Sequence, residues 1–272
     1  MKQKTIQQPC HLTGIGIHSG KENRLAFKPS SAGRIEFRLN SQTITVHPNH
    51  IADQNNRATI LEANNCKIIT PEHLLSACAG LGIDSLIIDC SSEEIPILDG
   101  SSKPFIDCFL KAGIQELESD KQIITIKKPI QIKEKDKCII LLPSHSGCSF
   151  TYYLDYPNHF IGSQCYTLDF TEQNYLTEVS NARTYGFEHE VKALLDKGLA
   201  QGGSLDNALI IGETDYLNPQ RMDNECVKHK ILDMVGDFWI LNAAIQAHII
   251  GIKSGHDLNC KAVKAIAGTL QI

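Results

Sequence analysis

Long apolar runs are missing from this chain: none approaches the roughly 20 residues that a membrane-spanning helix requires, so no bilayer insertion is expected. Runs of basic residues never exceed two and the net charge is −5 over 272 residues. No positive field is therefore available to gather nucleic acid. The opening decapeptide MKQKTIQQPC has no apolar core of the kind a secretion signal needs, and a cytoplasmic location is expected. Ten cysteines are present, yet no CxxC pair occurs among them. Scattered from Cys10 to Cys260, they suit neither a zinc ribbon nor a disulfide framework and are expected to be reduced, mostly buried fillers. Low-complexity segments are absent too.

What is present is the balance of a folded chain, 42% hydrophobic and 21% charged. Two domains of ordinary size are expected rather than one large one. The first hundred residues alternate short β-branched runs (KIIT, SLIIDC) with turns around one helical segment, PEHLLSACAGLG. A predicted helix, PFIDCFLKAG, precedes a polar stretch, GIQELESDKQ, where the pattern loosens and a domain boundary is expected. The second half repeats the style with the strands IITIKKPIQI, KCIILLP and SFTYYLDY, a helix around EHEVKALLDKG, then a long helix and a terminal one. The fold class is α+β, and the two halves look alike in style without a residue-level repeat.

The segment MDNECVKHKILDMVGDFWILNAAIQAH places Val227, Ile231, Met234, Val235, Phe238, Leu241, Ala244 and Ile245 at helical spacing, with Asp223 or Asn224 as candidate cap. His229, Asp233 and Asp237 follow at four-residue steps and line one stripe, with Lys230 beside it. Most charged stripes are solvated faces whose pairs contribute only about 0.2–0.5 kcal/mol each. A histidine and a carboxylate one turn apart can instead reach a single divalent ion. In TPEHLL, Thr70 can cap a helix, Pro71 fits its first position, and Glu72 and His73 occupy its first turn. Those two point about 100° apart, so one could ligate while the other handles a proton. A helix-dipole glutamate beside a surface histidine is the plainer alternative.

His256 follows Gly255 in an expected turn between helical segments, a place from which an imidazole can project into a cleft. In SNARTYGF, Thr184 offers a hydroxyl to a developing oxyanion and Tyr185 a ring for a sugar or base. GIGIHSG resembles a phosphate-cradling loop, but Ser19 stands where the third glycine belongs and a dinucleotide fold is rejected. His47, His50, His145, His159, His189 and His248 receive no role.

Taken in order, TGIGIHSG, PEHLLSACAGLGID, EIPILDGSSKPF, ARTYGF, GLAQGGSLDNALI, VKHKILDMVGD and KSGHDLN resemble the bacterial UDP-3-O-acyl-N-acetylglucosamine deacetylases, zinc amidases of lipid A synthesis. The resemblance covers nearly the whole chain. It implies a zinc ion held by His73, His229 and Asp233, with a water in the open fourth position. It further implies Glu72 as general base, His256 as the cationic residue at the oxyanion or the leaving amine, and Asp237 as the group that orients His256. Thr184 would add a hydrogen bond to the oxyanion. Lys230, Tyr185, His18 and Gly203 would contact substrate. Family precedent puts an acyl passage in an insert around 191–211, where Val191, Leu194, Leu195, Leu199 and Ala200 are candidate walls that could equally be core.

The implied fold is two related βααβ domains, residues 1–118 and 119–272, with helices sandwiched between two sheets. The implied substrate is a lipid-linked UDP-amino sugar that loses acetate from nitrogen. A monomer with at most transient contact to a membrane surface is expected, with no second enzyme fused beyond KAVKAIAGT. Tyr185 departs from the family's common phenylalanine. Two other readings remain: a zinc amidase on another acylated amino sugar, and a non-catalytic metal-dependent nucleotide-sugar binder. A structural zinc site usually has four protein ligands rich in thiolate, whereas no cysteine accompanies this cluster.

Overall fold

The computed structural model describes residues 1–53 and 57–270. Two sheets carry the chain. In the first, the strands lie in the order Cys10–Ile15, Glu22–Pro29, Leu86–Cys90, Ile35–Leu39 and Gln42–Thr45. In the second, the order is Ile130–Glu134, Lys137–Leu142, Ala244–Ile252, Cys148–Tyr156 and Gly162–Asp169. Each sheet is thus built on two hairpins with its own last strand inserted between them, and in the second sheet Ile123–Thr125 also pairs with the start of that strand. In both, that central strand runs antiparallel to the neighbour on one side and parallel to the neighbour on the other. The likeness of style seen in the sequence is a likeness of topology.

The helices fall at matching points as well. In the first half, α1 (Glu72–Leu81) precedes the central strand and α2 (Lys103–Ala112) follows it. After the second sheet's hairpins come a single turn, α3 (Glu172–Asn174), running into a π-type turn at Tyr175–Val179, and then α4 (Glu188–Asp196). In the second half α5 (Glu225–Phe238) precedes the central strand and α6 (His256–Leu270) follows it. All ten residues of α1 and twelve of the fourteen in α5 are buried, and one apolar core runs through both sheets and the helices between them. That is the α+β sandwich the sequence leads one to expect. Among the described residues no helix is long and apolar enough to cross a membrane.

Several local expectations need correction. The long helix stops at Phe238; Trp239–Leu241 form a 3-10 turn, Asn242 adopts φ 48°, and Ala244 and Ile245 begin a strand. Apolar spacing alone could not separate the two, because AIQAHIIGI is paired on both sides and carries apolar residues on both faces. The polar stretch after α2 does not loosen but forms the strand Ile114–Asp120, which pairs with Lys2–Ile6. Its polarity reflects exposure. Thr70 does not cap α1: it sits at φ 59°, and Pro71 holds the cap position without a side-chain bond. Asn224 takes the cap position of α5, also without a side-chain bond. His256 opens α6 after a strand rather than lying between two helices. All ten cysteines are free thiols, but only five are buried and Cys165 is exposed.

Candidate metal centre

The site lies on the seam between α1 and α5. Gly236 permits the contact, since a Cβ placed there would lie 2.0 Å from the Glu72 carbonyl oxygen. Only hydrogen fits between the two helices at that point. The close approach sets the ring of His73 edge-on to that of His229, with centroids 5.0 Å apart. Asp233 Oδ1 lies 3.3 Å from His229 Nε2 and 3.5 Å from His73 Nε2. The stripe on α5 is not a solvated face; its histidine and both aspartates are buried.

Protonation states give His229 and Asp233 their meaning. Burial pulls the His229 imidazole down to about 3, despite the neighbouring Asp233 carboxylate. The ring is therefore neutral, and its Nδ1 donates to the Ala182 carbonyl at 3.0 Å. The Nε2 lone pair is left facing the site. Asp233 remains ionised: burial opposes its charge, but the cationic Lys230 and His256 hold it well below the ordinary carboxylate range. Its Oδ1 is buried without a hydrogen-bond donor. Ligand atoms of His73, His229 and Asp233 all lie within 4.8 Å of one another. Converging lone pairs around a buried, undonated carboxylate oxygen fit a divalent cation, and two nitrogens with one oxygen suit zinc.

Beside this cluster stands a second group. Glu72, the residue before His73, turns to the other side, where burial pushes its carboxyl up to about 7 against the pull of His256. Glu72 Oε1 lies 3.5 Å from His256 Nε2, and Oε2 accepts from Thr59 N at 3.3 Å. His256 donates from Nδ1 to Asp237 Oδ2 at 2.9 Å. Burial disfavours its charge, yet Asp237, Glu72 and Asp233 together outweigh that and raise it to about 10. A glutamate able to gain or lose a proton near neutrality thus faces an imidazolium. Lys230 Nζ donates to Asp233 Oδ2 at 2.6 Å and lies 5.5 Å over the Tyr185 ring.

The remaining sequence candidates are less concentrated. Tyr185 is drawn in, its ring 6.3 Å from that of His229. Thr184 is half-buried, with its backbone held between Gly100 O and Leu209 N. His18 and Leu199 line a cavity of about 470 Å³, along with Ile60, Ile69 and Glu94. Val191, Leu194 and Gly203 do not line that cavity, and Leu195 is 48% exposed. The GIGIHSG loop does bind an anionic group, but an internal one: His18 N and Ser19 N both donate to the buried Glu94 carboxylate at 2.8 Å. Its outer edge accepts from the insert, Gln201 N to His18 O and Gly202 N to Ile17 O.

Four participants had escaped notice in the sequence. Asn259 donates to Asp237 at 2.8 Å, and its position three residues after His256 on α6 was a usable signal. Arg183 donates from N and Nε to the buried Glu225, which fixes the segment carrying the Ala182 carbonyl. Nothing in the sequence marked that pair. Thr59, which bonds to both Glu72 and Asp237, carried no signal either.

A metal-fitting triad flanked by a near-neutral glutamate and an imidazolium is the equipment of metal-assisted hydrolysis. Comparison with known proteins makes this particular. A sequence model of the UDP-3-O-acyl N-acetylglycosamine deacetylase family matches residues 3–268, and the chain belongs to that family of metalloamidases. It is 41% identical over 270 residues to the UDP-3-O-acyl-N-acetylglucosamine deacetylases of two strains of Leptospira biflexa serovar Patoc, Patoc 1 / Ames and Patoc 1 / Paris. Each alignment covers 97% of this chain and 89% of the relative.

Proposed function

We propose that this chain hydrolyses the acetamide of a UDP-3-O-acyl-N-acetylglucosamine to the free amine and acetate, using a zinc ion held by His73, His229 and Asp233. The observation that carries the reading is the convergence of those three ligand atoms within 4.8 Å, beside a glutamate able to exchange a proton. Bound there, the ion would polarise the amide carbonyl and acidify a water. Glu72 accepts the proton of the attacking water at its carboxylate and delivers it to the leaving nitrogen. Asp237 keeps His256 charged and anchored through Nδ1, and Nε2–H, which faces Glu72 Oε1 at 3.5 Å, is the donor turned to the developing oxyanion.

Thr184 adds a hydroxyl to the oxyanion, and Lys230 and Tyr185 hold the polar part of the substrate. The acyl chain runs along the insert around 191–211, over Val191, Leu194 and Gly203 towards the cavity of His18 and Leu199. Residues 1–118 and 119–272 act as the two units whose helices bring these groups together. The proposed enzyme is a cytoplasmic monomer that meets its lipid-tailed substrate at a membrane surface.

Metal analysis coupled to turnover of UDP-3-O-acyl-N-acetylglucosamine tests the reading directly. The expected result is one zinc per chain and hydrolysis that depends on the 3-O-acyl group; indifference to that group would remove this substrate. Glu72→Gln should keep its zinc while losing on the order of 10²–10⁴ in turnover. A fully active variant would take the general base away from Glu72.

A further inference from the structure

Thr59 lies just before the strand Ile60–Ala63 and is wholly buried. Its carbonyl accepts from Thr70 N at 3.0 Å, which pins it to the segment that leads into α1. Its own N–H points at Glu72 Oε2, 3.3 Å away, and its hydroxyl donates to Asp237 Oδ1 at 2.6 Å. The two carboxylates belong to different helices and different halves of the chain. From Asp237 the connection continues through Oδ2 to His256 Nδ1 at 2.9 Å, and from His256 Nε2 back to Glu72 Oε1 at 3.5 Å. Four residues from four segments therefore close a ring: Thr59, through its hydroxyl and its backbone N–H, then Asp237, His256 and Glu72.

In that ring Thr59 holds the corner that the sequence did not reveal. Asp237 Oδ2 already accepts from His256 and Asn259, and Thr59 is the side-chain oxygen or nitrogen donor to Oδ1 among the described residues. Without that donor one oxygen of a buried carboxylate is left unsatisfied, and the group can turn about its last side-chain bond. His256 would turn with it. The β-branched threonine is stiff about its first torsion, so the hydroxyl direction is set by the backbone that also presents N–H to Glu72. One residue thereby ties the direction of Asp237 to the position of Glu72.

We propose that Thr59 is a positioning residue for hydrolysis, holding Glu72 and the His256–Asp237 pair in a fixed mutual geometry; this rests on the deacetylase reading above. Thr59 touches no metal ligand's coordinating atom in this geometry, and the ring acts on the proton-handling groups alone. Its loss should thus be felt in the chemical step rather than in metal or substrate binding.

The experiment compares Thr59→Val and Thr59→Ser in the full-length, zinc-loaded protein, measuring kcat, KM and zinc content. Thr59→Val keeps the volume and the backbone N–H but removes the hydroxyl. Its kcat should fall about 10- to 100-fold, with KM and zinc content each within about threefold of wild type, as loss of a transition-state interaction requires. Thr59→Ser restores the hydroxyl and should recover kcat to within about threefold. Wild-type kcat in Thr59→Val overturns the proposal, as does a Thr59→Ser variant as impaired as Thr59→Val, because packing rather than the hydroxyl would then matter. If Thr59→Val folds poorly, Thr59→Ala takes its place with the same outcomes. A zinc-loaded wild type inactive on the UDP-sugar sinks the deacetylase reading itself, whereas an active wild type with an unimpaired variant sinks the role of Thr59 alone.

Discussion

The α1–α5 seam and the insert that follows Tyr185 serve the same proposed reaction and are built in opposite ways. Along the seam every residue of α1 is buried, the helices meet through Gly236, and most polar groups that handle charge are tied to named partners. In the insert, α4 is only nine residues long, none of its described side chains is buried, and Leu195 and Leu205 are 48% and 53% exposed. Its attachments to the first half are an ion pair from Arg57 to Glu190 and backbone bonds to the GIGIHSG loop. Chemistry that tolerates little displacement sits on over-determined helices. On the proposed reading, selection of a flexible acyl chain would sit where packing is sparse and local opening costs little.

Substitutions on the two sides should separate sharply, beginning with the seam. Asp233→Ala removes the ionised ligand and leaves only the two imidazoles. We expect loss of bound zinc on dialysis and a fall in turnover on the order of a thousandfold or more; stoichiometric metal in this variant would mean that the ion sits elsewhere. Next comes Gly236→Ala, which touches no reacting group. The added methyl must part α1 from α5, because the neighbouring atom is the Glu72 backbone rather than a yielding side chain. The expected cost is about 1–3 kcal/mol of stability and about 100-fold in turnover from a displacement of an ångström. A melting curve and a kinetic assay on the same preparation check both, and an unchanged pair would show that the seam is looser than its contacts imply.

Much of the seam could be read in advance because it obeys helical spacing. His229, Asp233 and Asp237 recur every four residues, and a turn of helix brings them to one side whatever the rest of the fold does. Glu72 and His73 stood next to each other in a recognisable helix start. What spacing could not supply was the meeting of His73 with His229, 156 residues later; only the family resemblance suggested it. Ala244 to Ile252 misled because a strand paired on both sides and a buried helix are equally apolar. Thr59, Arg183 and Glu94 were invisible for a different reason. Each acts through a bond to a residue far away in the chain, and a lone threonine, arginine or glutamate has no local pattern that announces such a partner.

The insert should answer more gently. Leu199 lines the cavity at the junction with His18 and lies outside the seam. Leu199→Ser removes apolar surface from one wall of the proposed passage and leaves the metal, Glu72 and His256 untouched. For a long-chain substrate KM should rise about tenfold at nearly constant kcat, equivalent to about 1.4 kcal/mol of uniform binding lost, which is the scale of one or two buried methylenes. A substrate whose acyl group is too short to reach this wall should show no change. The assay is therefore a chain-length series run on both proteins. Equal losses at every length would place Leu199 in the scaffold and erase the division of labour between insert and seam, whereas a loss that grows with chain length would locate the lipid along this wall.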